Sequence, residues 1–333
     1  QSDHPTGWGD SPGWRMAYVV AQTVAALSSA RDGHRDAAVK ALDLAIIVGG
    51  PSDVLRRLIH VVAAAATTHT RVDGAAVGFG IAGMAPVDAP RSPGSRPLQR
   101  IELTAFRDGC FVPRQCAVLE GIQTGWTAAA RWSDVEALVS RYGHRWIPIE
   151  VGSWPALEER VVTLADFFGN YCSGAGEPPA YLAQHNLFEQ MPELADDVAP
   201  PTSIADVGAS LIEQSVWWGT VGTRTPLHFD THDNFLAQVV GYKYVRLYAE
   251  SQTPLLYAGA PSGAAVRAAR YKAGANMSQV GDVERACLKT FPLLARAEFS
   301  EVVLGPGDTL YMPAGTWHYV RSLSPSMSVN FWF

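Results

Sequence analysis

The chain has 333 residues, 47% of them hydrophobic and only 17% charged, which suits one or two packed domains and excludes a disordered or acidic-tail protein. Its net charge of −6 comes with no long basic run, so direct nucleic-acid binding is not expected. Apolar runs such as Val61 to Ala66 fall well short of the ~20 residues that span a bilayer, which leaves no membrane partner, and four scattered cysteines without zinc-type spacing read as reduced thiols of an intracellular protein, nuclear or cytoplasmic.

The first part of the chain, residues 1–83, reads as helical. Residues 14–30 are rich in Ala, Val and Met, and residues 34–48 place Ala38, Ala41, Leu42 and Ile46 near one helical face. Pro51-Ser52-Asp53 marks a third helix start ahead of Val54, Leu58 and Val61. This layer is expected to cover the domain that follows. Residues 84–98, dense in proline, read as a linker.

A second domain is expected over residues 99–333. Residues 100–105 and 116–119 read as short strands, 133–142 as a helix, 146–151 (WIPIEV) as an alternating strand, and 157–171 as a helix anchored by Leu164, Phe167 and Phe168. From Asn234 the pattern is β: residues 234–240, 243–248, 301–304, 309–312, 317–322 and 326–333, punctuated by Gly241-Tyr242, Pro306-Gly307-Asp308, Pro313-Ala314-Gly315 and Ser324-Pro325. Short strands between Gly/Pro turns predict a double-sheet jelly roll of the cupin kind, so the whole chain is expected to be α+β, a helical layer followed by that barrel. Such a barrel gathers the ends of distant strands at its mouth.

Three residues there carry metal chemistry. His228 and Asp230 lie two apart in Thr225-Pro226-Leu227-His228-Phe229-Asp230, a spacing that on a strand sends both side chains to one face. His318 follows the turn in Pro313-Ala314-Gly315-Thr316-Trp317-His318. Two imidazoles and one carboxylate are the facial triad of non-haem Fe(II) oxygenases, which leaves metal positions open for substrates. Zinc is the competing metal, but its carboxylate-containing sites do not usually come with this barrel and turn pattern. His232 shares the strand parity of His228 and Asp230, yet its polar setting, Thr231-His232-Asp233-Asn234, reads as a turn outside the set. Lys243 sits inside the apolar stretch VVGYKYVRLY, which predicts an inward, paired lysine rather than a solvent-facing one.

With these motifs in hand, residues 99–333 resemble the Jumonji-C (JmjC) family of Fe(II)- and 2-oxoglutarate-dependent oxygenases. The blocks that carry the resemblance are Tyr181-Leu182-Ala183-Gln184-His185, Thr225 to Asp230 with Asn234-Phe235-Leu236, Gly241 to Tyr248, Asn276 to Val280, and Trp317 to Arg321 through Phe331-Trp332. The resemblance implies a double-stranded β-helix and a reaction that uses Fe(II), 2-oxoglutarate and O2 and releases succinate and CO2. It implies that Lys243, with Tyr181, Thr225 and Asn234, holds the far carboxylate of 2-oxoglutarate.

Substrate choice follows from the same resemblance. In arginine-hydroxylating members an acidic residue and aromatic walls clasp the guanidinium, and Glu150 and Trp217 match the acid and one wall. The family pattern has a second Trp ten residues after the acid. This chain has Arg160 there, a cation that works against guanidinium binding, with Trp154 close by as a substitute. The expectation is therefore a hydroxylase of arginine in a protein or peptide substrate. A methyl-lysine demethylase and a non-catalytic scaffold are the alternatives; demethylases of this fold more often carry HxE than HxD, and the intact set His228, Asp230, His318 and Lys243 argues against a scaffold.

Overall fold

A computed structural model describes residues 12–50, 52–64, 92, 95–154, 156–172, 178–259 and 276–333. Three helices open it, α1 (Pro12–Arg31), α2 (Arg35–Gly49) and α3 (Asp53–Ala64), where the sequence predicts them. Ala38, Leu42 and Ala45 recur at helical spacing on α2 and pack with Ala26, Leu55 and Ile59; the small alanines let the helices approach closely. Asp43 lies among them, fully buried.

Of the predicted linker, residues 84–91 and 93–94 lie outside the described residues. Its end, Arg96–Pro97, is a strand (β1). Then come β2 (Arg100–Glu102), β3 (Ala117–Glu120), helices α4 (Ala128–Ser133) and α5 (Val135–Tyr142), and β4 (Trp146–Ser153). Asp134 caps α5 by accepting from the Ala137 N–H at 2.9 Å.

The helix expected over 157–171 is mostly a strand. β5 (Ala156–Thr163) folds back antiparallel on β4, from Trp146↔Thr163 to Ser153↔Ala156, and only α6 (Leu164–Asp166) and a π-turn at Phe167–Tyr171 are helical. Leu-Glu-Glu-Arg has helical propensity, but hairpin pairing and the β-branched run Val161-Val162-Thr163 override it. As an edge strand, β5 points Glu158, Glu159 and Arg160 into solvent, which also protects the sheet from pairing with another chain.

The remaining strands are β6 (Ala180–His185), β7 (Glu213–Gly219), β8 (Arg224–Phe229), β9 (Asn234–Val240), β10 (Lys243–Tyr248), β11 (Ser300–Leu304), β12 (Thr309–Met312), β13 (Trp317–Ser322) and β14 (Ser326–Trp332), with α7 (Leu187–Gln190) after β6. Among the described residues they form two sheets, ordered β1-β11-β10-β13-β8 and β2-β3-β12-β9-β14-β7-β6-β4-β5. This is the cupin-like jelly roll.

Side chains from both sheets, including Val118, Leu236, Val245, Leu304, Leu310 and Val320, fill one part of the space between them. Tyr181, Ala183, Trp217 and Trp332 form a separate cluster whose aromatic members border the polar part. The outer face of the larger sheet is covered by α4, α5 and the Phe167–Phe168 turn, which bury Trp132 and Trp218 edge to face, their ring centroids 5.6 Å apart.

Gly241 holds the turn from β9 to β10 that delivers Lys243. Its φ is +74°, and a Cβ there would run into the Pro325 carbonyl. Gly241→Ala is expected to cost about 1–3 kcal/mol, read as a lower urea midpoint at unchanged slope.

Candidate metal centre

His228 is the last residue but one of β8, and His318 lies directly opposite it on β13. Cross-strand pairing brings the two rings to a centroid separation of 4.1 Å. Asp230 lies just past the end of β8. Its backbone carbonyl accepts from the Gly315 N–H at 2.9 Å, and the Asp233 carboxylate accepts from the Ala314 N–H at 2.7 Å. The two ligand-bearing turns are thereby fastened to each other. The Asp230 oxygens lie 3.7 Å from His228 Nε2 and 3.8 Å from His318 Nε2, and one donor atom from each residue falls within 4.8 Å of the others.

The outer nitrogens decide which atoms face inward. His228 Nδ1 lies 2.8 Å from the Pro226 carbonyl and His318 Nδ1 lies 3.0 Å from the Thr316 carbonyl. A carbonyl only accepts, so each Nδ1 carries a proton, and in the neutral ring each Nε2 keeps its lone pair toward Asp230. Burial, reinforced by the neighbouring His318, pushes the pKa of His228 down to about 4, which keeps it a neutral ligand near pH 7. For Asp230, burial works to raise the pKa. The opposing pull of His318, His228, Trp332 and Asn234 is stronger and holds the carboxyl below its usual range.

Asp230 Oδ2 accepts from Trp332 Nε1 at 2.9 Å and from Asn234 Nδ2 at 3.0 Å, and Asn330 Nδ2 in turn donates to Asn234 Oδ1 at 2.7 Å. Two neutral nitrogens and one oriented carboxylate, converging from one side, fit a divalent iron with open positions.

Tyr181, Trp217, Thr225, Asn234 and Lys243 line the same cavity as His228, Asp230 and His318. Lys243 is 1% exposed, and its Nζ donates to Ser328 Oγ at 2.6 Å and to Tyr181 Oη at 3.3 Å. No carboxylate pairs with it among the described residues. Burial drives its pKa down to about 7, and burial also raises that of Tyr181.

The model of the cupin-like domain family matches residues 104–333. The chain belongs to the cupin-like JmjC family. Its relatives include lysine-specific demethylase 8 of Danio rerio, 41% identical over 69% of this chain and 56% of that protein. Jumonji C domain-containing protein 5 of Drosophila melanogaster is 36% identical over 71% of this chain and 59% of that protein. Lysine-specific demethylase JMJ30 of Arabidopsis thaliana is 32% identical over 97% of this chain and 80% of its own length. The chain spans about half the length of the animal relatives, 51% of that from Xenopus tropicalis.

Within this JmjC domain Glu150 stands apart from the other expected site residues. It lines a small adjoining cavity with Trp154, Leu157, Tyr181 and Arg224, and Tyr181 is shared between the two cavities. Arg160 is not on that face. It pairs with Ile149, whose side chain is in the opposite, core-facing layer, whereas Glu150 pairs with Glu159. The Arg160 guanidinium is held outside by Glu158, at 2.8 and 3.0 Å, and by Tyr171 Oη at 3.1 Å. Its expected interference with guanidinium binding at Glu150 is therefore removed. His232 is exposed and outside the metal set, as its turn-like setting predicts.

Trp332, Asn330 and Gln184 also line the metal cavity and were not singled out from the sequence. The signal for Asn330 was present: Ser326, Ser328 and Asn330 alternate along an otherwise apolar last strand, which marks a polar inward face. Trp332→Phe removes one bond to Asp230 while keeping most of the packing. It is expected to weaken Fe(II) binding about 10- to 100-fold, measured by anaerobic titration of the folded variant.

Proposed function

We propose that the chain is an Fe(II)- and 2-oxoglutarate-dependent protein hydroxylase acting on arginine side chains. The observation that carries the oxygenase reading is Lys243: a buried ammonium, lacking a carboxylate partner among the described residues, in the same cavity as His228, Asp230 and His318. A charge left in that state is costly unless an anion joins it. The far carboxylate of 2-oxoglutarate is such an anion, with Tyr181 and Thr225 as further hydrogen-bond donors beside it. Bound at the triad, iron and 2-oxoglutarate supply O2 activation, coupled to decarboxylation to succinate and CO2 and to insertion of one oxygen atom into a substrate C–H.

The protein's own part is positional. His228, Asp230 and His318 hold three ligand positions on one side, Trp332 and Asn234 keep the carboxylate ionised and aimed, and the aromatic wall of Tyr181, Trp217 and Trp332 limits water. Arginine is favoured by the carboxylate of Glu150 on the neighbouring strand and by the Trp217 face, with Trp154 on the same side as Glu150. Demethylation of methyl-lysine is the second reading, favoured by the names that several relatives carry.

With Fe(II) and arginine peptides the protein is expected to form succinate and to add one oxygen atom to arginine by mass spectrometry. Removal of a methyl group from methyl-lysine peptides would select the second reading, and no succinate with any peptide would refute both.

Lys243 also sets a pH dependence. In the ligand-free protein it loses its proton at about pH 7 rather than the ordinary 10.5, so above pH 7 binding of the dianion must take up a proton. The apparent affinity for 2-oxoglutarate is expected to fall by up to about tenfold per pH unit across that window. Lys243→Met should bind weakly and without this slope.

A further inference from the structure

Asp43 on α2 is fully buried and far outside the matched family region, yet it bonds to three residues inside it. Its carboxylate accepts from Arg145 Nη2 at 2.7 Å and Nε at 3.2 Å, from the Trp146 N–H at 2.8 Å, and from Gln190 Nε2 at 2.7 Å. Gln190, also fully buried, donates its second amide hydrogen to the Trp146 carbonyl. Its Oε1 lies 2.8 Å from His185 Nε2. With both amide hydrogens committed to acceptors, Oε1 can only accept, so His185 carries its proton on Nε2 and donates it. An unbroken chain of bonds thus runs from the helical layer to the end of β6.

What β6 carries at that end is a wall of the metal cavity. Its pairing with β7 runs Tyr181↔Gly219 and Leu182↔Trp218, then resumes at His185↔Val216, so Ala183 and Gln184 together oppose Trp217 alone. This is a β-bulge. Gln184 adopts φ +43°, a left-handed conformation that side-chain-bearing residues avoid unless their surroundings hold them there. Gln184 and Trp217 both line the cavity. Bulges re-aim side chains beside active sites, but they need fixing on both flanks. Pairing with β7 brackets the bulge on both sides, and the bond from the His185 side chain to Gln190 adds a second anchor on the far flank.

We propose that Asp43, Gln190 and His185 are positioning residues, a relay through which the helical layer holds the Ala183–Gln184 bulge against Trp217 and sets the substrate side of the cavity. The helical layer then helps to shape the substrate side of the cavity without touching its reacting groups. The consequence for substrate rests on the oxygenase reading; the consequence for the bulge does not.

The test uses the full chain and three variants. His185→Leu cuts the last link and leaves the Asp43–Arg145 pair intact, His185→Gln replaces the donor with an amide, and Asp43→Asn weakens the buried end. Hydrogen exchange is expected to quicken about tenfold at the amides of residues 183–186 in His185→Leu and Asp43→Asn, the loss of one buried hydrogen bond. β13 and β14 should stay protected, and His185→Gln should restore the wild-type rate. With peptide, the two weakened variants should raise KM for the peptide and leave peptide-independent 2-oxoglutarate turnover unchanged.

Unchanged exchange at 183–186 in His185→Leu, equal loosening of β13 and β14, or failure of His185→Gln to restore protection would each overturn the relay. A wild type that consumes no 2-oxoglutarate would overturn the oxygenase reading instead, and the exchange result would still judge the relay.

Discussion

The structure turns on one carboxylate. Asp230 is mostly buried between two imidazoles, a place where desolvation alone would favour the neutral acid. The pull of His318 and His228, with the bonds that Trp332 and Asn234 donate to the oxygen nearest His318, outweighs that burial and keeps it ionised, while its backbone is pinned to the turn that feeds β13. Those contacts come from β8, β9, β13 and β14, on both sheets. A one-residue slip of β14 would turn Trp332 to the other face and remove its bond. The jelly roll therefore supplies register as much as enclosure.

The same interior divides into an apolar part and a polar part. Where Leu236, Val245, Leu304 and Leu310 meet, it is an ordinary sheet-on-sheet core. Beside them it holds a buried lysine, a carboxylate, two histidines and two asparagines. Every member of that group except Lys243 has a partner that suits its charge. Among the described residues Lys243 hydrogen-bonds to hydroxyl groups alone, so the cavity has a metal-ligand set and a cation without its anion. If 2-oxoglutarate binds as proposed, Lys243 on β10 would hold its far carboxylate.

How much of this was legible depends on whether the determinant is local. The triad was, because strand parity and a Gly/Pro turn place His228, Asp230 and His318 without knowledge of the rest. The burial of Lys243 was, because the strand around it is apolar, but the charged partner expected with it is not found among the described residues. β5 was not: its exposed Glu158, Glu159 and Arg160 leave no alternation to read, and only pairing with β4 makes it a strand. The effect expected of Arg160 falls away for the same reason, since spacing in sequence does not say which face of a hairpin a residue takes.

Trp332 needed the register of β14 against β9 to show that its indole reaches Asp230. Asp43 left a trace that went unread. A lone acid in the middle of KALDLAIIV cannot be buried without partners, but those partners are about a hundred residues away or more, at Arg145 and Gln190.

Anaerobic equilibrium dialysis against Fe(II), comparing wild type with Asp230→Ala, reads whether this carboxylate is a metal ligand. One tightly held iron per chain is expected in the wild type and none in the variant, with both proteins folded. Equal iron retention by the two would contradict it, because the carboxylate on which the rest of the structure converges would then not be a ligand.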